Sequence, residues 1–91
     1  MLRITVTQQS PRKVVLELFG KIAGHDVPLL RQEGQRYLEQ GAQLSLELNG
    51  VHFVDPDGVA VLRQWVDQDV ILSGGSAFLR ALLVSVGLES H

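Results

Sequence analysis

A chain of 91 residues, 45% hydrophobic and 20% charged, has the composition of one small globular domain and not of a disordered segment or a pair of domains. Area scaling buries roughly two-thirds of the ~14,500 Å² that the open chain exposes, which supplies one thin core but no deep enzyme cleft beside it. A net charge of −2, eight scattered Lys and Arg residues and no cysteine exclude a basic nucleic-acid footprint, disulfides, and thiolate or Cys-zinc chemistry.

In chain order, Leu2, Ile4 and Val6 alternate with Arg3, Thr5 and Thr7, the period-two signature of a half-buried strand. The turn Gln8-Gln9-Ser10-Pro11-Arg12 leads into a second alternating run through Val14, Leu16 and Leu18, so the two read as an antiparallel hairpin. Asp26 is expected to N-cap a first helix, with Pro28 in its first turn and Gly41 past its end. Val27, Leu30, Tyr37 and Leu38 share its inner stripe, with Gly34 on the same side for close approach to the sheet. Leu44, Leu46 and Leu48 mark a third strand. A second helix starts at Asp55 with Pro56 in its first helical position and Val59, Leu62 and Val66 inward. A short fourth strand covers Val70 to Leu72. A third helix follows Ser76, with Leu79, Leu82, Leu83 and Val86 inward and Gly87 past its end.

The order is therefore β-β-α-β-α-β-α. Strands apolar on one side only cannot be covered on both faces. The expected fold is an α/β two-layer sandwich, with a mixed four-stranded sheet and all helices on one face, in a single domain over residues 1–91. No apolar run approaches the ~20 residues of a membrane span, and Met1-Leu2-Arg3-Ile4-Thr5 lacks a signal-peptide core. A soluble, cytoplasmic protein with no membrane insertion is expected.

The most informative stretch is Leu46-Glu47-Leu48-Asn49-Gly50-Val51-His52-Phe53-Val54-Asp55-Pro56-Asp57-Gly58-Val59-Ala60-Val61-Leu62: a strand, a short loop, Val-Asp, then a Gly-containing helix start. It resembles the STAS domain, the family of bacterial anti-anti-sigma factors and of the cytoplasmic tails of sulfate transporters. Leu16-Glu17-Leu18-Phe19-Gly20-Lys21-Ile22 is similar to the family's early strand, and Leu72-Ser73-Gly74-Gly75-Ser76 through Gly87-Leu88 to its late strand, helix and closing Gly-Leu. The resemblance implies a non-enzymatic protein-interaction domain without cofactor. Such a domain regulates bacterial transcription by docking on an anti-sigma factor or related kinase-like partner. The alternative it implies is a small subunit of an ABC-type lipid transport complex, bound to the transporter ATPase.

Two departures bear on that. Partner-switching members read Asp-Ser-Ser/Thr-Gly at this helix start, and the residue before Gly is phosphorylated. Here Asp57 holds that position, after Pro56. Its carboxylate cannot accept a phosphate from a Ser/Thr kinase. It brings one charge to a helix N-terminus where phosphate would bring nearly two, so it is a partial mimic or an ordinary first-turn acid. The second departure is length: members usually continue with another helix, whereas only Glu89, Ser90 and His91 follow Leu88.

The expected docking surface comprises His52, Asp55, Asp57, Gly58 and Val61 with Ile22 and His25 of the preceding loop. On the third helix Phe78 and Val84 fall outside the inner stripe, as a dimer or partner contact or as cover for the sheet edge. His25 and His52, in loops at the C-terminal ends of parallel strands, could share a metal or acid–base site with Asp55 and Asp57. Exposed loop histidines and a cap are the plainer explanation, and no metal site is assigned. Ser73-Gly74-Gly75-Ser76 reads as a turn sooner than as a phosphate cradle. Trp65 is expected at the rim of the core with its N–H wet.

Overall fold

The computed structural model describes residues 1–88. Strand β1 (Leu2–Gln9) turns through Ser10, whose N–H donates to the Lys13 carbonyl at 2.8 Å, into β2 (Lys13–Ile22). Helix α1 (Asp26–Glu39), strand β3 (Gln43–Val54), helix α2 (Pro56–Val66), strand β4 (Ile71–Ser73) and helix α3 (Ala77–Ser85) follow. The sheet order is β1-β2-β3-β4, with β1 antiparallel to β2 and the other neighbours parallel. This is the expected order and architecture. Among the described residues no helix is long and apolar enough to cross a membrane.

The apolar set of each strand explains the layering. Val14, Leu16 and Leu18 of β2, Leu44, Leu46 and Leu48 of β3 and Leu72 of β4 are buried in one cluster with Leu30 and Tyr37 of α1, Leu62 and Trp65 of α2, and Leu79 and Leu83 of α3. Their alternates face away from the helices: the pairs Val15↔Ser45↔Ile71 and Glu17↔Glu47↔Ser73 cross the open face in rows. Burying a Leu side chain contributes about 1.5–3 kcal/mol, so the helical face supplies most of the folding drive.

Several local expectations need correction. His25, not Asp26, precedes the first turn of α1, and it makes no side-chain cap bond. Asp26 lies inside the helix, where its Oδ2 accepts the Leu2 N–H at 3.0 Å and ties the start of β1 to α1. Gly34 faces a helix and not the sheet: a Cβ there would stand 2.4 Å from Cη2 of Trp65. Trp65 fills that gap and is 1% exposed, so it is core and not rim. The inward face of α2 is Gly58, Val61, Leu62 and Trp65, while Val59 and Val66 are only half-buried. Strand β3 does not stop at Asn49. Its pairing with β2 resumes through Phe19↔Gly50, Gly20↔Val51 and Ile22↔Val54 after a bulge, so His52 lies in a strand and not a loop. Gly50 permits this, because a Cβ there would approach Phe19 Cδ1 to 2.4 Å.

Candidate functional site

Parallel strands β2 and β3 both deliver a helix start at their C-terminal ends, the end where α/β domains place ligands and contacts. One side chain organises the two starts. Asp55 caps α2, its Oδ1 accepting the Gly58 N–H at 2.7 Å. Its Oδ2 accepts the Gly24 N–H at 2.9 Å, and its own N–H donates to the Ile22 carbonyl at 3.0 Å. The N–H bonds from Gly24 and Gly58 hold the Asp55 carboxyl below the ordinary carboxylate range. The capping bond contributes about 1 kcal/mol, and the Gly24 bond fixes the β2–α1 turn to α2. Close approach of these segments requires Gly58: a Cβ there would lie 2.7 Å from the Ile22 carbonyl oxygen.

The expected surface residues divide on this frame. Asp57, His52 and His25 are exposed, and Asp55 is half-buried. Ile22 and Val61 are fully buried, so they support the surface without offering side-chain atoms to a partner. Gly58 is buried as well. Among the described residues no three His, Cys, Asp or Glu side chains come together as a metal site, so the cluster of His25, His52 and aspartates is not assembled as one. In the Ser73-Gly74-Gly75-Ser76 segment Ser73 ends β4, Asn49 holds the link to α3 by accepting the Gly75 N–H on its Oδ1 at 3.0 Å, and Ser76 caps α3 by accepting the Leu79 N–H at 3.1 Å. On α3, Phe78 is 70% and Val84 59% exposed, so neither covers the sheet edge.

Two features were not expected. A groove of about 540 Å³ opens between α1 and α2 below the helix starts, walled by Val27, Pro28, Arg31 and Gln35 on one side and Asp57 and Ala60 on the other. Its α1 wall mixes Val27 and Pro28 with Arg31, Gln32 and Gln35, and such a mixed face carries no signal in a sequence because solvated faces look the same. On the open face of the sheet, Glu17 stands beside Glu47. Desolvation, then the hydrogen bond and repulsion from Glu47, raises the Glu17 carboxyl above its ordinary range, against a smaller lowering by Arg3.

Comparison with known proteins agrees with this architecture. The family model described as "Mlab, STAS domain" matches residues 5–90. The solved structure of the anti-sigma factor antagonist SpoIIAA in its unphosphorylated form superposes with a TM-score of 0.80 at 22% sequence identity, covering 94% of this chain and 82% of that one. Comparison with curated proteins returned no match.

Proposed function

This chain belongs to the STAS family, and on that premise we propose that it is a non-enzymatic docking domain of the anti-sigma-antagonist kind, contacting a protein partner in the cytoplasm through the start of α2. The observation that carries this is Asp57: exposed, at the first turn of a helix whose start is fixed by Asp55 to the neighbouring turn. A rigid, exposed helix start presents its side chains and N–H dipole in one geometry, which suits recognition by shape and charge. His52 and His25 are the other exposed residues assigned to this surface, with Asp55, Gly58, Val61 and Ile22 as its support. With Asp57 in place of a phosphorylatable residue, the contact is set permanently and is not switched by a kinase.

The test is affinity for the partner that co-purifies with the native protein. Asp57→Arg is expected to weaken binding at least tenfold and Asp57→Ser to change it less. Unchanged affinity in both variants removes the docking role.

A second reading, a subunit bound to the ATPase of an ABC-type lipid transporter, is favoured by the outward Phe78 and Val84 of α3. A permanent complex covers such a face, with a second copy of the chain as the other candidate cover. Stable co-purification with an ATPase supports the subunit; an anti-sigma or kinase-like partner supports the regulator.

A further inference from the structure

The groove between α1 and α2 begins at Asp57 and holds two charges that the fold leaves unanswered. Among the described residues, neither the Arg31 guanidinium nor the Asp57 carboxylate has an ion-pair or hydrogen-bond partner; the ion pair present joins Arg36 to Glu33. Both side chains line the groove, with Val27, Pro28 and Ala60 as its apolar part. We propose that this groove receives an extended segment of a protein partner carrying a basic and an acidic side chain two residues apart, the cation against Asp57 and the anion against Arg31. The proposal rests on the docking reading above and adds where the partner's chain runs and which charges it presents.

The spacing argues for a chain segment. The groove lining runs along α1 from Val27 to Gln35, about 12 Å at the helical rise, with Gly24 of the preceding turn beyond its upper end. An extended chain covers that with about four residues, and a pentapeptide reaches the Gly24 turn as well, whereas a free amino acid would fill one end of it. The Gly24–Asp55 bond holds the two helix starts level. Asp57 is the second residue of α2 and Arg31 the sixth of α1, an offset along the helix axes of about 6 Å between residues on opposite walls. Residues i and i+2 of an extended chain are separated by nearly that distance, and they point to the same side. The aliphatic stems of a Lys and a Glu can lie along Val27, Pro28 and Ala60 while their charged ends reach Asp57 and Arg31. A segment carrying two like charges matches one end of the groove and is repelled at the other.

The experiment is an NMR titration of the labelled protein with four blocked pentapeptides: Ala-Lys-Ala-Glu-Ala, the reversed Ala-Glu-Ala-Lys-Ala, and controls with two Lys or two Glu. One mixed-charge order is expected to bind about fivefold tighter than both controls, as two exposed ion pairs allow. Its shifts should centre on the amides of Val27, Arg31, Asp57 and Ala60. Arg31→Glu, at an exposed position with no partner to lose, should transfer the preference to the two-Lys peptide. Equal affinities across the panel, shifts centred elsewhere, or a preference unmoved by Arg31→Glu overturns the proposal. Failure of the docking reading appears separately, as partner affinity indifferent to Asp57→Arg, because the peptide panel does not use that partner.

Discussion

The two ends of this small molecule's electrostatics treat carboxylates in opposite ways. At the helix starts, Asp55 meets backbone N–H groups of Gly24 and Gly58, and its charged form is favoured. On the open sheet face, Glu17 stands in register beside Glu47, and its charged form is disfavoured. The first arrangement fastens two loops together. The second is a mild internal opposition tolerated because solvent screens it. Backbone-anchoring bonds are thus found where the candidate contact lies, and the open sheet face carries a pair of like charges.

Substitutions can break or sharpen this contrast. The largest effect is expected between the later turns of α1 and α2, away from the helix starts: Gly34→Ala drives a methyl into Trp65 and should cost about 1–3 kcal/mol in urea unfolding. Asp55→Ala removes a cap and the link to Gly24 and should cost about 1–2 kcal/mol, with Asp55→Asn recovering part of it. Asp57→Ser should cost only about 0.3–1 kcal/mol, the value of a first-turn acid, so any larger loss of partner affinity is recognition and not folding. Glu17→Gln should have the smallest effect and the opposite sign, raising the urea midpoint slightly at neutral pH.

Acidification separates the same two regions. Glu17 has a raised folded value, so the native state holds the extra proton and stability is gained as pH falls through that value. Asp55 has a depressed folded value. Its contribution is complete above the ordinary Asp range and is lost as pH falls from there through the depressed value. Urea midpoints measured downward from neutral pH should therefore rise before they fall. In Glu17→Gln the rise should vanish, and in Asp55→Asn the final fall should be shallower.

The alternation of Leu16, Leu18, Leu44, Leu46 and Leu48 made the one-sided sheet legible, since a period of two admits few alternatives once each strand has polar partners. Helix starts at Asp55 and Ser76 were legible for the same kind of reason: an N-cap is a local device. Asp26 looks like a cap along the sequence, but its bond goes to Leu2, a partner that only the tertiary fold supplies. The extent of β3 was hidden because a bulge opposite Phe19 breaks the alternation while pairing continues. The burial of Trp65 is not legible along the chain because the space it fills is the missing side chain of Gly34. The groove and the Asp55–Gly24 bond depend on how two distant segments dock, and no spacing along the chain records that.

The sheet's borders carry one more consequence. Strand β4 is three residues long, and β1 is interrupted where Val6 pairs with Leu16 and Gln8 already pairs with Val15. Neither border offers a long, flat row of unpaired backbone groups, the template on which foreign strands add and fibrils grow. Recruitment by sheet extension is thereby discouraged at both margins, which is consistent with the proposed docking through side chains of the helical layer.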